Sequence, residues 1–251
     1  MTRRWAGAFV VLIVVAVGAT VPFLAFKPAR FSDPAAERLA AAGEKGDVRT
    51  IDELIQGRVN PNVRGLHNIT PLLVTFGARN KRGFDALLRH GADPNLFDDN
   101  GRAVMLDAAG DEDPYWLENS LKHGGKPNLL SPETRRVSKG QVPIFYAVAN
   151  HRGRNLKLLI DAGADMNHMD NGGMTAWRLA VGIPAYDMLF AMVEAGADFN
   201  KKDAIGQCLL DLISSRSEFY VVGDEQKLWF RKTVELLRAK GAEFTLRGEG
   251  K

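Results

Sequence analysis

One short motif recurs along the chain at a nearly fixed interval, and this periodicity constrains the fold more than any other feature. Each copy has the form Gly-Ala-Asp-x-Asn or a variant of it, and the copies close at Asn62, Asn95, Asn128, Asn167, Asn200 and Thr245. The intervals between these closing residues are 33, 33, 39, 33 and 45 residues. Such a period indicates a stack of structural repeats, each burying its apolar faces against its neighbours.

A second marker lies at the start of each repeat. Thr70 and Pro71 open one unit, and the equivalent positions are Ala103, Val142, Thr175 and Cys208. A threonine followed by proline is typical of a helix N-cap and first turn. The two registers together place a six-residue insertion within residues 130–141 and a twelve-residue insertion around residues 214–226. The glycine at the end of each unit, from Gly91 to Gly241, suits a left-handed helix cap.

The 33-residue period, the Thr-Pro-Leu start and the Gly-Ala-Asp-x-Asn turn together resemble the ankyrin repeat over about residues 35–248. The resemblance implies an all-α solenoid of about six helix-turn-helix repeats, with atypical terminal repeats and residues 35–62 as an N-terminal cap. The sequence departs from the family at the histidine that follows Thr-Pro-Leu. Other residues stand there, namely Leu73, Leu106, Phe145, Arg178 and Asp211.

The N-terminal segment predicts a membrane or export function. Residues 5–26 carry no charge, and about 20 apolar residues span the hydrocarbon core of a bilayer. We therefore expect a signal anchor or signal peptide over residues 1–30 and the ankyrin-repeat domain over residues 31–251. A signal peptide would be cleaved after Ala19. The apolar run continues beyond that point to Phe26, which favours an uncleaved transmembrane helix.

The orientation of this segment rests on its short N-terminal tail. Arg3 and Arg4 flank the segment on one side, and Lys27 and Arg30 flank it on the other. The number of flanking basic residues is therefore similar on both sides and barely favours either membrane orientation. The short tail favours an N-in arrangement with the body outside the cytoplasm. The expected location is the inner membrane, single-pass, with the body in the periplasm of a Gram-negative bacterium or in a lumen otherwise. After cleavage the protein would be free in the periplasm.

The charge of the body argues against nucleic-acid binding. The whole chain has a formal charge of +3, and its first 30 residues hold four basic residues and no acidic one. From Phe31 onward the charge is therefore −1, without the excess of basic residues that duplex binding needs. Cys208 is the single cysteine, so no disulfide can form within one chain.

No catalytic motif is found in the sequence, so we predict a protein that is not an enzyme and has no cofactor and no metal site. His90 and His123 share a repeat position, but adjacent repeats are too far apart for them to share a metal. The run Asp111-Glu112-Asp113 could attract a cation or form a solvated loop between helices, and the second interpretation is favoured. Cys208 stands where a capping threonine is expected, as a packed thiol rather than a nucleophile.

Two groups of residues are candidates for binding a partner, which the resemblance places at the tips of the turns and on the exposed side of the first helices. The first group is apolar and maps to turn tips, where it forms either a patch or contacts between turns: Leu66, Ile69, Phe97, Met169, Met174 and Ile205. The second group lies in the two insertions: Arg135, Arg136, Lys139, Phe219 and Tyr220. The first insertion is either a binding loop or a tolerated solvent loop. The second is either a binding loop or a lid over the last repeat.

These observations predict a membrane-anchored, non-catalytic module that binds another protein. By family resemblance alone, it would be an immunity protein that neutralises a phospholipase-type effector delivered by type VI secretion. The alternative is a scaffold or assembly factor for an envelope complex. Partners would thus be a protein and, through residues 5–26, a membrane, with no nucleic acid and no small-molecule cofactor.

Overall fold

The computed structural model describes residues 29–133, 140–216, 221 and 223–247, which contain twelve α-helices and no β-strand. The helices form six helical hairpins in series, which confirms the all-α repeat architecture predicted for the body. Their bounds, pair by pair, are α1 (Pro34–Lys45) with α2 (Val48–Gln56), α3 (Pro71–Gly77) with α4 (Lys81–Arg89), α5 (Val104–Ala109) with α6 (Tyr115–Lys122), α7 (Pro143–Ala149) with α8 (Gly153–Asp161), α9 (Ala176–Gly182) with α10 (Tyr186–Glu194), and α11 (Leu209–Ser215) with α12 (Asp224–Ala239).

The helices stack in two rows. Each first helix of a hairpin contacts the first helix of the next hairpin, and the second helices do the same from α2 to α12. One continuous apolar core runs between the rows from Leu39 to Ala242. Within it, the Trp116 ring packs edge-on against Phe76 and Phe84, with ring centroids 5.4 and 5.0 Å apart. Because no hairpin encloses a core of its own, each depends on its neighbours.

The residue at each capping position determines how the N-terminus of the following helix is capped. The Thr70 hydroxyl accepts a hydrogen bond from the amide of Leu73, and Thr175 caps Arg178 in the same way, both at 3.2 Å. At Cys208 the cap is a reciprocal capping box, in which the Cys208 side chain accepts the backbone N–H of Asp211 and the Asp211 carboxylate accepts the Cys208 N–H at 2.8 Å. From α4 onward each second helix is followed by a left-handed glycine, as predicted. The φ values at Gly91, Gly124, Gly163, Gly196 and Gly241 are 82°, 88°, 83°, 98° and 87°.

The segment between one hairpin and the next, here called a finger, spans residues 57–70, 90–103, 123–142, 162–175 and 195–208. In the first four fingers, the repeated asparagine bonds to the backbone of the next finger. Asn95 donates from Nδ2 to the Gly124 carbonyl at 2.9 Å and accepts the Lys126 N–H at 2.8 Å. Equivalent bonds join Asn62 to Gly91 and Asp93, Asn128 to Gly163 and Asp165, and Asn167 to Asp198.

The six-residue insertion leaves the base of its finger intact. In the regular fingers, the backbone closes between Asp170 and Met174 and between Asp203 and Gln207, four residues apart. In the inserted finger the same closure joins Ser131 and Gln141 at 2.8 Å. The six-residue insertion therefore falls, in sequence, between the two residues of this closure, as the repeat register predicts.

The twelve-residue insertion divides into a longer loop after α11 and an N-terminal extension of α12. The extension packs on the preceding hairpin. Gln226 accepts the Tyr186 N–H at 2.9 Å, and Phe230 is buried with its ring centroid 5.2 Å from that of Tyr186. Trp229 similarly lies 5.3 Å from Phe190. The described part of the extension therefore packs on α10 of the fifth hairpin, and the lid over the last repeat stays a prediction.

The first described residues are fixed to the first hairpin. Arg30 forms ion pairs with Glu37 at 3.3 Å and Glu44 at 2.7 Å, and Phe31 is buried against Ala36, Ala40 and Val74. Within the described part of the chain, no helix has both the length and the apolar character needed to cross a membrane. The predicted membrane segment, residues 5–26, lies outside that part.

We expect that replacing Asn95 by alanine lowers the free energy of unfolding by about 1 kcal/mol, because the Gly124 carbonyl and the Lys126 amide lose a part-buried hydrogen-bond partner. Denaturant unfolding of the full chain measures the effect. Asn200→Ala is the matched control, because this exposed asparagine has no side-chain bond to a neighbouring finger among the described residues. It should change stability by no more than about 0.5 kcal/mol. Equal losses in the two variants would contradict the stabilising function of the asparagine bonds.

The Glu37 carboxylate should make the stability of the protein depend on pH. Burial raises the pKa of Glu37, but hydrogen bonds from the amides of Phe31 and Arg30 and from the Arg30 guanidinium outweigh it, so the net pKa lies below its ordinary value. The stabilisation is therefore complete above the ordinary carboxyl pKa and is lost as the pH falls through the depressed one. Glu37→Gln should lower the melting temperature at pH 7 and lower it less at pH 3.5. Glu53→Gln, at an exposed ion pair with Arg49, should have little effect at either pH.

Candidate interaction surface

The fingers and the exposed side of the first helices border one surface, here called the groove. The fifth residue counted from each helix-capping position faces it, and the five such residues are Val74, Asp107, Tyr146, Leu179 and Leu212. Val74 is 7% exposed, and the other four are half-buried. Neighbouring packed helices lie roughly 8–10 Å apart, so these side chains form a row with that spacing. Most of the row is apolar, and Asp107 is its one carboxylate.

The middle of the groove holds an ion pair beside a tyrosine. Arg102 donates to the Asp107 carboxylate from Nε at 3.0 Å and from Nη2 at 2.7 Å. Burial nevertheless raises the pKa of Asp107, and the Arg102 charge only partly offsets it. Burial and the nearby Asp107 charge raise the pKa of Tyr146 to about 12. At neutral pH this region therefore presents a neutral phenol hydroxyl next to a carboxylate that is already bound.

Between α9 and α11 the groove opens into a cavity of about 190 Å³, here called the groove pocket. Its walls are mostly apolar, and none of the residues lining it is acidic. The lining residues are Met174, Arg178, Leu179, Val181, Gly182, Leu212 and Arg216. A Cβ atom added at Gly182 would meet no atom within 4 Å, so the backbone of α9 leaves this side of the pocket open.

The two arginines of the pocket, Arg178 and Arg216, differ in their hydrogen-bond partners. Arg178 stands where the histidine of the ankyrin pattern is absent, and its Nη1 donates to the buried Asp203 carboxylate and, at 3.1 Å, to Gln207. Asp203 also accepts the amides of Ile205 and Gln207. Arg178 thus ties a finger to α9. Arg216 is half-buried, and its guanidinium has no carboxylate partner in the described ranges.

The predicted turn-tip residues divide into exposed and packed ones. Leu66, Met169 and Ile205 are 62%, 37% and 68% exposed. Ile69 and Met174 pack on the core instead, because each immediately precedes a helix start and points back toward it. The structure therefore does not bring the six predicted side chains into one patch.

A different apolar row does form along the fingers. Phe97, Leu130 and Met169 occupy the same finger position in three successive fingers, and Leu130 is 56% exposed. We call these three residues the finger row. Sequence reasoning placed Leu130 in the insertion and did not single it out as a contact residue. The repeat register contained the necessary signal, since Leu130 follows Phe97 by one 33-residue period.

The remaining predicted binding residues, Arg135, Arg136, Lys139, Phe219 and Tyr220, lie outside the described residues and stay predictions. Residues 134–139 occupy the tip of the inserted finger by sequence. Residues 217–220 stand, in sequence, between α11 and α12.

Two carboxylates of the acidic run, Asp111 and Asp113, form ion pairs with basic side chains of the same chain. Arg79 pairs with Asp111, and its guanidinium stacks on the Trp116 ring, 4.8 Å from the centroid. Lys81 pairs with Asp113 at 2.7 Å. The His90 ring forms a hydrogen bond with the Asp52 carboxylate at 2.7 Å, whereas His123 bonds to the Asn119 carbonyl. In the described ranges, no three His, Cys, Asp or Glu side chains are grouped so as to hold a metal ion.

Comparison with known proteins identifies the fold. A solved ankyrin repeat domain from Acinetobacter baumannii AYE superposes with a TM-score of 0.65 and 23% sequence identity, covering 82% of this chain and 98% of that one. No protein-family model matches the chain, and no curated protein matches it. At this identity the likeness establishes the ankyrin-repeat fold, which agrees with the sequence resemblance, and leaves the function to be argued from the surface.

The difference between the two arginines leads to a stability prediction. Arg178→Met leaves the buried Asp203 without its charged partner and should cost about 1.5–3 kcal/mol. Arg216→Met should change stability by no more than about 0.5 kcal/mol, since no described carboxylate depends on it. Denaturant midpoints of the full chain give the comparison. A larger loss for Arg216→Met would show that the assignment of the two roles is wrong.

Proposed function

We propose that this protein is a non-catalytic binding module that recognises another protein through the groove and the finger row. The observation that carries the proposal is the groove pocket, an open apolar cavity bordered by two guanidinium groups. Exposed Leu130 and Met169 extend apolar surface along the adjoining finger edge. Apolar patches of this kind, set among charged side chains, are typical of protein interfaces.

The way the surface is built also supports binding. The fingers are held to one another by the asparagine bonds and to the helices by Arg178 and Asp203. A surface fixed before association loses little conformational entropy when a partner docks. At the groove centre the Asp107 carboxylate is already paired with Arg102 and the Tyr146 phenol is neutral, which suits recognition better than proton transfer or nucleophilic attack.

The junction with the N-terminal segment supports a tethered arrangement. Lys27, Pro28 and Ala29 alone separate the apolar run from Arg30, whose ion pairs fix the chain to the first hairpin. In this proposal residues 5–26 are an uncleaved inner-membrane anchor and the body faces the periplasm. The solenoid is then held within a few residues of the bilayer, and cleavage after Ala19 would release it into the periplasm.

A finer form of the proposal is an immunity protein that neutralises a membrane-attacking effector. It is supported only by the resemblance to short bacterial ankyrin proteins with an export or anchor segment. A neighbouring toxin gene in the source genome would supply the candidate. Co-expression should then protect cells and yield a stoichiometric complex. If neither protection nor a complex appears, the immunity role is wrong, while protein binding is unaffected.

The binding function is tested by purifying the intact protein from its native membrane after cross-linking and identifying its partners by mass spectrometry. Leu130→Asp and Met169→Asp should reduce recovery of the true partner at least tenfold, because a charge enters the apolar contact. Leu228→Asp is the matched control, since Leu228 is 48% exposed but lies on α12, away from the fingers. It should leave recovery unchanged.

The outcomes separate the alternatives. One stoichiometric partner sensitive to Leu130 and Met169 supports a dedicated binding module, whereas several envelope proteins with the same sensitivity indicate a scaffold. Recovery that is equal for wild type and all three variants would contradict binding through the finger row. A small-molecule turnover abolished by a single polar substitution in the groove would contradict the non-catalytic assignment.

A further inference from the structure

We infer that the groove pocket selects a partner segment in which an apolar side chain stands next to an acidic residue. This inference rests on the proposed function and adds the chemistry of the partner. It places the apolar side chain between α9 and α11 and the carboxylate between Arg178 and Arg216.

The apolar part of the site follows from its walls. Leu179 and Leu212 stand at equivalent positions of neighbouring helices, and Met174 closes the side nearest the finger. All three are partly exposed, although they also pack on the core. Water in contact with this surface is displaced when a leucine- or phenylalanine-sized side chain enters. Burial of such a side chain is the main source of binding energy that this pocket can supply.

The acidic part follows from the charges. Arg178 uses Nη1 for Asp203 and Gln207, and its Nε and Nη2 make no hydrogen bond to any described residue. Arg216 lines the same pocket without a described carboxylate partner. Among the described residues no acidic side chain lines the pocket, so no described carboxylate neutralises the Arg216 guanidinium there. A carboxylate accepts bonds from such groups at close range, whereas a lysine of the partner would be repelled.

The geometry of the row also restricts the spacing within the segment. The next groove residue along the row is Tyr146, one repeat away from Leu179. A segment in polyproline-II geometry advances about 3.1 Å per residue and places every third side chain on the same face, so a step of about 8–10 Å corresponds to three residues. The partner residue three positions from the buried apolar one therefore faces the Tyr146 ring and its hydroxyl. The expected segment is apolar-acidic with a further side chain three residues from the apolar one.

Gly182 provides a substitution that fills the pocket without disturbing the scaffold. It ends α9, has a φ that L-residues adopt, and an added side chain meets nothing within 4 Å. Gly182→Glu places both bulk and negative charge in the pocket. Gly77 ends α3 at the same repeat position and is equally open, so Gly77→Glu is a matched control distant from the pocket.

The test uses the full chain in detergent micelles and a phage-displayed library of random 12-residue peptides, whose members have no free C-terminus. Enriched peptides are synthesised with blocked ends, and their affinities are measured by fluorescence anisotropy. We expect enrichment of leucine, isoleucine, phenylalanine or methionine beside aspartate or glutamate. Changing the acid to its amide, or the apolar residue to alanine, should weaken binding at least tenfold.

The protein variants complete the test. Gly182→Glu and Arg216→Glu should each weaken the selected peptides at least tenfold, and Gly77→Glu should stay within twofold of wild type. Circular dichroism melting of each variant confirms that it folds. The inference is overturned by enrichment of basic peptides, by no enrichment, by equal effects at Gly77 and Gly182, or by tighter binding of a peptide that ends in a free carboxylate at the apolar residue.

The failure of this inference is distinguishable from failure of the proposed function. A native partner that binds the Gly182→Glu protein as it binds wild type, yet loses affinity with Leu130→Asp, overturns the pocket and keeps the binding module. A partner whose recovery depends on neither Gly182 nor the finger row overturns both.

Discussion

Contact between neighbouring hairpins is the interaction on which the rest of this structure depends. The core is continuous from Leu39 to Ala242, so every hairpin has its apolar faces covered by the next one. In the first four fingers the asparagine side chain forms directional hydrogen bonds with the backbone of the following finger. Burial supplies most of the energy, and these hydrogen bonds fix the spacing between fingers.

The two insertions show how such a stack tolerates additions. The finger between the third and fourth hairpins keeps its backbone closure between Ser131 and Gln141, so the six added residues fall, in sequence, between these two positions. At the other end the second helix of the last hairpin, α12, is lengthened at its N-terminus. The lengthened part adds Phe230 and Gln226 to the contact with α10, where they pack on and hydrogen-bond to Tyr186. The described part of this insertion therefore enlarges the contact between the last two hairpins.

Most of the fold could be predicted because the residues that set it repeat. The spacing of Asn95 and Asn128, the left-handed glycines and the threonine caps were all readable from the register. Exposure at the finger tips was not, because it depends on the direction of each side chain. Ile69 and Met174 turn back to the core, whereas Leu66 and Ile205 face solvent.

The candidate site was harder to predict than the fold. The sequence showed that Arg178 replaces a histidine, but only the structure shows that it binds Asp203 from another finger and borders a pocket. Arg216 carried no sequence signal, since it lies just after a helix end in an irregular region. The acidic run at Asp111 and Asp113 was predicted as a solvated loop, and it instead pairs with Arg79 and Lys81, which lie one repeat earlier.

Hydrogen exchange at the finger amides, measured by NMR on the full chain, tests the nearest-neighbour account most directly. The Lys126 amide donates a hydrogen bond to the Asn95 side chain, and the Asp165 amide donates one to the Asn128 side chain. These bonds should protect the two amides from exchange. In the Asn95→Ala protein, Lys126 should exchange much faster while Asp165, one finger further along, keeps its wild-type rate. Unchanged exchange at Lys126, or an equal acceleration at both amides, would contradict the claim that each finger is held by the asparagine of the one before it.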